Sequence, residues 1–386
     1  MPVLNRIAGY AEEMTEWRRW LHRNPEIGLE CHKTSDFVAE RLESFGVDQI
    51  HRGIAKTGIV ALIEGQGEGP TIGLRADMDA LPMSEETGLD YASETPGAMH
   101  ACGHDGHTTM LLGAAKYLAE TRRFKGRVAL IFQPDEEGGG GGRVMVEEGI
   151  MDRFDIGRVF ALHNSPGTPL GHFSTNPGPI MASADEFSVT VTGSGGHGAS
   201  PQTALDPIPP ALAMIDAFHT IVSRNHDAYQ QLVITVATIH AGTAHNVIPG
   251  TCRFGGTVRT FDPLIQDMVI RRMEEIVAGT AVAYGVTAEL DYQKGYPPTV
   301  NHEDQVAFAA EVAREVAGDD AVTADALPQM FAEDFSYMLE ARPGAYVNLG
   351  QGDTPMCHHP AFDFVDEIAP VGASYFARLV ERAQPV

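Results

Sequence analysis

The spacing of apolar positions changes several times along the chain, and each spacing predicts a kind of element. Residues 4–45 have the three-to-four-residue spacing of amphipathic helices, and we expect a break at Asn24-Pro25 because proline disfavours helix in the residue before it. Residues 58–63 and 71–76 are short apolar runs, as in strands covered on both faces. A predicted helix over 108–120, followed by strands over 127–132 and 159–162, completes an alternation of strands and helices that is typical of an α/β sheet.

Between residues 185 and 295 the pattern changes to half-exposed strands and two further helices. The predicted elements are a strand over 187–192, a helix from about 210 to 224, strands over 232–240 and 253–260, a helix over 263–284 and a strand over 286–292. This β-α-β-β-α-β order is the ferredoxin-like arrangement. We therefore predict a discontinuous catalytic domain, residues 1–184 and 296–386, interrupted by a small α+β domain, residues 185–295.

The excess of acidic residues indicates which classes of binding partner the protein is not expected to have. Against 27 Lys and Arg stand 52 Asp and Glu, a formal net charge of −25, which argues against nucleic acid and against an anionic membrane surface. No apolar stretch of about 18 residues indicates a membrane span, and Glu12 and Glu13 fall where a signal peptide needs its apolar run. Four cysteines in so long a chain do not make a disulfide framework, so we expect a cytoplasmic protein.

Four segments place metal-capable side chains at predicted strand ends or in tight turns. Cys102 and His104 are separated by one glycine, which lets a thiolate and an imidazole converge on one ion. Glu136 and Glu137 follow the strand over 127–132. One of the two as ligand and the other as general base is the division of roles found in metallohydrolases.

Histidines complete the pattern. His163 ends a predicted strand, where open α/β sheets bind their ligands, and His358 lies in a His-rich segment near the end of the chain. On its own, a lone histidine such as His163 is more often a hydrogen-bonded structural residue than a ligand, and we expect His100, His107 and His359 to pack, cap or orient rather than to bind metal. The coincidence of four such segments favours a metal site.

Two residues of the predicted small domain have both a structural and a functional interpretation. His197 lies among glycines, so it is either an exposed side chain of a plain hairpin or a group that reaches a neighbouring site. Arg259 lies on a predicted antiparallel strand, so it either faces solvent or binds a substrate carboxylate. The glycine run 138–142 lacks the Lys-Ser or Lys-Thr of a phosphate loop.

Several motifs occur together, at residues 20–26, 74–82, 100–107, 132–138, 196–199, 246–249, 333–335, 358 and 362–364. With these motifs the chain resembles, nearly end to end, the metal-dependent amidohydrolases that include N-acyl-amino-acid amidohydrolases, hippurate hydrolase and plant auxin-conjugate hydrolases. That family is a branch of the aminoacylase and zinc carboxypeptidase superfamily. The resemblance implies a zinc-exopeptidase-like catalytic domain, with helices on both faces of a mixed, twisted sheet.

The resemblance also implies two divalent metal ions per subunit, zinc or else manganese, cobalt or nickel. The implied ligands are Cys102, His104, Glu137, His163 and His358, with Cys102 between the two ions.

Further roles follow from the same resemblance. Glu136 matches the general base, which takes a proton from the metal-activated water and returns it to the leaving amine. His197 matches the residue that stabilises the oxyanion from the partner subunit, which implies a homodimer or a higher homo-oligomer. Asn246 and Arg259 match groups that hold the substrate carboxylate or carbonyl, and Asp79 matches a carboxylate that orients a ligand.

The expected reaction is hydrolysis of the amide bond of a small N-acyl amino acid to a carboxylic acid and a free amino acid. A dipeptidase or carboxypeptidase using the same site is the first alternative, and a non-catalytic metal or small-ligand binding protein is the second. Asp135 and Gln202 replace the Ala and the His that the family usually has, which affects the expected substrate more than the expected chemistry.

Overall fold

The computed structural model of the protein describes residues 3–386, and these divide into two compact units. The first unit comprises the chain up to Ile180 together with Thr299–Pro328 and Asp334–Val386. The second comprises Met181–Pro298 and Gln329–Glu333.

The helices include the two predicted in the first 45 residues, here α2 and α3, and the break between them contains Asn24-Pro25 as expected. In chain order the helices are α1 Asn5–Ala8, α2 Ala11–Arg23, α3 His32–Phe45, α4 His104–Thr121, α5 Gly141–Glu147, α6 Ile150–Arg153, α7 Ile208–Arg224, α8 Pro263–Tyr284, α9 Glu303–Ala317, α10 Ser336–Ala341 and α11 Ala369–Ala383.

The strands form one large sheet in the first unit, one sheet of four strands in the second, and two small two-stranded pairs. In chain order they are β1 Gln49–Ile54, β2 Gly58–Glu64, β3 Thr71–Asp77, β4 Arg127–Gln133, β5 Ile156–Ser165, β6 Phe173–Ser174, β7 Gly178–Met181, β8 Ala184–Thr192, β9 Gly196–His197, β10 Leu232–Ala241, β11 Val247–Ile248, β12 Thr251–Thr260, β13 Thr287–Tyr296, β14 Thr299–Asn301, β15 Val322–Thr323 and β16 Gly344–Gly350.

The large sheet is mixed, as predicted. Its strand order within residues 3–386 is β1-β2-β4-β3-β5-β16-β6-β15. The central strands β4, β3, β5 and β16 are parallel to one another, so their carboxyl ends lie at the same edge. Every residue of β3 and β16 is buried, as is nearly every residue of β4. Both faces of the sheet are therefore covered, which explains why most residues of these strands are apolar.

Helix α4 begins at His104, four residues before the predicted start at residue 108. Gly103 precedes it with a φ of +94°, a conformation that glycine adopts without strain. Asp105 then occupies the first turn, where a carboxylate is favourable beside the helix N-terminus. The apolar spacing alone missed this turn because its residues are polar but buried.

The second unit has the predicted ferredoxin-like order, β8-α7-β10-β12-α8-β13. Its antiparallel sheet has the strand order β10-β12-β8-β13, and α7 and α8 pack together against it. Phe187 and Val189 of the sheet share one core with Phe218 of α7 and Met273 of α8. Among the described residues, no helix is both long and apolar enough to cross a membrane.

Candidate metal centre

The candidate metal centre lies in the first unit, at the edge where the parallel strands of the large sheet end. Asp79 follows β3, Glu136 and Glu137 follow β4, and His163 lies near the end of β5. Helix α4 begins at this edge with His104. Because parallel strands present their carboxyl ends together, side chains that are distant in sequence converge here.

Among the described residues, two overlapping groups of potential ligand atoms share Cys102. The first group is Cys102, His104 and His163, and the second is Cys102, Glu137 and His358. Within each group the ligand atoms all lie within 4.8 Å of one another. Cys102 Sγ lies 3.5 Å from His163 Nε2, and Glu137 Oε1 lies 3.3 Å from His358 Nε2. The fold thus brings together the five side chains that the sequence indicated as ligands.

These side chains fit a divalent metal ion. His104 Nε2 is buried without a hydrogen-bond partner among residues 3–386, and it lies 3.8 Å from Glu137 Oε1. A buried polar atom without a partner costs about 1–3 kcal/mol, and a cation bound by both atoms removes that cost. Cysteine, histidine and glutamate are also the side chains that bind zinc in proteins.

Hydrogen bonds at Nδ1 orient the imidazoles of His104 and His163 so that their Nε2 atoms face the candidate metal centre. His104 Nδ1 donates to the backbone carbonyl of Asp79 at 2.9 Å, and His163 Nδ1 donates to the backbone carbonyl of Asn164 at 2.7 Å. Each bond holds the proton on Nδ1 and leaves Nε2 with its lone pair, the form that binds metals.

The electrostatic potential favours positive charge at His104. Burial lowers the pKa of His104, but the carboxylates of Asp77 and Asp79 outweigh burial and raise this pKa well above its usual value. Burial, with a contribution from His107, holds the pKa of His163 well below its usual value. A metal ion that binds His104 therefore replaces a proton that the surrounding carboxylates otherwise stabilise.

The turn that carries the two glutamates is fixed by two aspartates. Asp79 Oδ1 accepts a hydrogen bond from the backbone N–H of Glu136, and Asp79 Oδ2 accepts one from that of Glu137, each at 3.1 Å. Asp135 has a φ of +60°, a region that Asp enters more readily than Ala, and its Oδ1 accepts from the backbone N–H of Gly139 at 2.9 Å. The departure from the family's Ala therefore has a structural explanation.

Glu136 is only 7% exposed, and its Oε2 lies 3.9 Å from His104 Nε2. Its carboxylate thus lies next to the two groups that share Cys102, and it forms a further group of potential ligand atoms with His104 and Glu137. A buried carboxylate beside a metal position is suited to transferring a proton.

A buried ion-pair network beneath the centre was not found from the sequence. Asp77 accepts from His107 Nδ1 at 2.5 Å and from Arg75 Nη1 at 2.6 Å. His107 Nε2 lies 2.6 Å from Asn164 Oδ1, so this imidazole joins β3 to β5. A signal was present in the sequence, because Arg75 and Asp77 are charged residues in an otherwise apolar strand. His100 and His359 belong to neither ligand group.

The remaining predicted site residues, His197, Asn246 and Arg259, belong to the second unit. Strand β9, which carries His197, pairs with β11, and Gly198 N donates to the backbone carbonyl of Asn246 at 2.8 Å. The fold thus brings the His197 and Asn246 segments together. Arg259 is half-buried on β12, and burial lowers the pKa of its guanidinium.

A second buried network lies under the first turn of α4. His22 Nδ1 is 2.8 Å from Asp105 Oδ2, and His22 Nε2 is 3.3 Å from Glu85 Oε1. Arg18 adds a positive charge 3.7 Å from the same Asp105 oxygen. Burial lowers the pKa of His22, but its hydrogen bonds to Asp105 and Glu85 prevail and raise this pKa to about 9.

This network predicts a specific pH dependence of stability. Because the pKa of His22 is raised from 6.5 to about 9 on folding, its contribution is fully present below pH 6.5 and is lost as the pH rises through 9. The shift corresponds to about 3 kcal/mol in the free energy of unfolding. Urea unfolding of metal-free protein between about pH 6 and about pH 10 measures this loss. The His22→Gln variant is the comparison, and an equal pH dependence in both proteins contradicts the assignment.

Comparison with known proteins gives concordant results. Peptidase family M20/M25/M40 matches residues 73–382 of the chain. Hippurate hydrolase of Campylobacter jejuni is 38% identical over 379 residues, covering 98% of this chain and 98% of that protein. N-acetyl-L-cysteine deacetylase of Bacillus subtilis is 41% identical over 360 residues, covering 93% and 85%. Among solved structures, a dinuclear metal-binding peptidase of the M20 family from Bacillus subtilis has a TM-score of 0.85 at 33% identity, covering 98% of this chain and 99% of that chain.

Proposed function

The chain belongs to peptidase family M20/M25/M40, and from this membership we infer that it is a metal-dependent hydrolase of the amide bond in N-acyl amino acids. The products are a carboxylic acid and a free amino acid. Relatives that match nearly the whole chain are named for hydrolysis of hippurate and of N-acetyl-L-cysteine, both of which are N-acyl amino acids. The observation that carries the proposal is the pair of ligand groups sharing Cys102, with the Glu136 carboxylate beside them.

The enzyme uses two divalent metal ions, held by the five side chains of the two ligand groups. Bound there, the ions supply a water of lowered pKa and polarise the scissile carbonyl. Zinc is the metal that we propose, because a thiolate with imidazoles and a carboxylate is a zinc-binding set. Manganese, cobalt and nickel are the alternatives for the same ligands.

In this proposal Glu136 transfers the proton. Its carboxylate accepts a proton from the attacking water and donates it to the departing nitrogen, so that the free amino acid leaves as a neutral amine. The two hydrogen bonds that the backbone N–H groups of Glu136 and Glu137 donate to the Asp79 carboxylate hold the turn in place during this transfer. Proton transfer by a positioned side chain contributes about 10²–10⁴-fold to the rate.

His197 stabilises the oxyanion that forms at the carbonyl, acting from the second subunit of a homodimer. Its imidazole is exposed, and its Nδ1 accepts a hydrogen bond from the backbone N–H of Ala199 at 3.0 Å. The neutral ring therefore carries its proton on Nε2, where it is available to donate. Removing one donor to an oxyanion typically costs about 10²–10³ in kcat.

Arg259 and Asn246 bind the substrate carboxylate or carbonyl. Arg259 carries a half-buried guanidinium, and a partly desolvated cation gains more from an anionic partner than an exposed one does. The planar guanidinium also matches a carboxylate in two parallel hydrogen bonds.

We place the enzyme in the cytoplasm. The cysteines of residues 3–386 are free thiols, and Cys102 has to remain reduced to serve as a ligand. A reducing compartment meets that requirement.

A substrate panel tests the proposed function. We expect the metal-loaded protein to release free amino acid from N-acetyl, N-benzoyl and indoleacetyl amino acids, measured with an amine-reactive dye, and we expect the chelated protein to be inactive. Matched dipeptides, which carry a free amino group in place of the acyl group, are the comparison. Faster cleavage of the dipeptides favours a peptidase. An absence of turnover on every compound contradicts the proposed function.

A further inference from the structure

Cys357 lies against the metal centre and belongs to neither ligand group. Its Sγ donates to the backbone carbonyl of Cys102 at 3.8 Å. The next residue, His358, donates its backbone N–H to the carbonyl of Ala101 at 2.7 Å. Two chain segments distant in sequence are therefore held side by side with a thiol on each.

The spacing suits a covalent link between the two sulfurs. The hydrogen bond from the His358 N–H to the Ala101 carbonyl and the contact of Cys357 Sγ with the Cys102 carbonyl hold the two backbones next to each other, and a disulfide needs its two Cα atoms about 4.4–6.8 Å apart. Cys102 and Cys357 are also both partly exposed, so a small oxidant has access to them.

The other two cysteines are both buried. Cys31 is fully buried, and its Sγ contacts the backbone carbonyl of Gly28 at 3.2 Å. Cys252 is buried in the core of the second unit. They serve as internal references for thiol reactivity.

We propose that Cys102 and Cys357 form a reversible disulfide when the protein meets a peroxide, and that this bond releases the bound metal ions by removing the sulfur ligand common to both groups. The disulfide depends only on the two thiols, whereas the release of metal rests on the proposed function. Oxidation would thus inactivate the enzyme by removing the Cys102 sulfur from the metal ions, and reduction of the disulfide would restore metal binding and activity.

The chemistry balances with hydrogen peroxide as the oxidant. The Cys357 thiolate attacks one peroxide oxygen, the O–O bond breaks, and hydroxide leaves to become water, giving a sulfenic acid on Cys357. The Cys102 sulfur then attacks the sulfenic sulfur and expels a second water. Two thiols thus supply two electrons, and the products are one disulfide and two waters.

The disulfide is tested first in metal-free protein. We expect one equivalent of hydrogen peroxide to consume two of the four thiols. Peptide mass spectrometry without reductant should find the Cys102 and Cys357 peptides linked and two hydrogen atoms lighter than their sum. Dithiothreitol should reverse the change. Cys357→Ala and Cys357→Ser should give no linked peptide, while Cys252→Ala should behave as the wild type. If the wild type gives no linked peptide, the proposal is overturned.

Metal release is tested in the loaded protein with a chromogenic chelator. We expect the ions to appear in solution as the linked peptide forms, and we expect both Cys357 variants to retain them under the same treatment. A linked peptide with unchanged metal content overturns the release. If the fresh protein binds no metal at all, the proposed function fails, while the linked peptide still reports on the disulfide.

Discussion

Replacing Glu136 with Gln is expected to lower kcat by about 10²–10⁴-fold, the usual contribution of a positioned acid–base group, while the protein keeps its metal. Gln has the same shape as Glu, and the backbone N–H at this position still donates to Asp79. What is lost is the ability to accept a proton from water and to return it to the leaving nitrogen. Steady-state kinetics on an N-acyl amino acid, together with metal analysis of the same sample, measure the two effects separately.

Two further substitutions distinguish the loss of proton transfer from a general effect of removing a carboxylate and from a loss of metal. Glu147→Gln changes an exposed carboxylate on α5 and should leave turnover unchanged. Glu137→Gln alters a residue of the second ligand group, so metal content and turnover should fall together. Full turnover in Glu136→Gln would end its assignment as the general base.

Replacing Cys102 with Ala is expected to have the largest effect on metal content. Cys102 belongs to both ligand groups, so its loss weakens both ion positions, whereas replacing His163 or His358 affects one. Changing an outer hydrogen-bonding partner of a metal ligand already costs about 10–100-fold in affinity or activity, and removing a shared ligand should cost at least as much at each position. Elemental analysis after dialysis gives the content, and a competing chelator gives the affinity.

Cys252→Ala is the matched control for Cys102→Ala. It removes a buried thiol from the core of the second unit and should leave the metal content at the wild-type value. Retention of two tightly bound ions in Cys102→Ala would contradict the shared-ligand arrangement.

Part of the candidate metal centre was predictable because two pairs of its residues form short local patterns. The Cys102-x-His104 spacing and the Glu136-Glu137 pair each place two polar groups next to a predicted turn, and the apolar runs before them indicate where strands end. Local spacing carries this information because consecutive residues keep their relation whatever the rest of the chain does.

The buried charged networks were not predictable, because they depend on long-range pairing. His22 meets Asp105, and Arg75 meets Asp334, across separations that no local pattern records. The early start of α4 was missed for a related reason. Its first turn is polar and buried, so its stability comes from partners elsewhere in the fold rather than from apolar spacing.

The position of β16 in the large sheet has a consequence for synthesis on the ribosome. This strand lies between β5 and β6, although it follows them by a long stretch of chain. At about 5–20 residues per second, the partner edge of β5 stays unpaired for roughly 10–40 s after β5 emerges. An unpaired apolar strand is a site for association with other chains, so this edge of β5 is open to such association during that interval. The strands of the second unit's sheet follow one another in the chain between residues 184 and 296, so that sheet can already form.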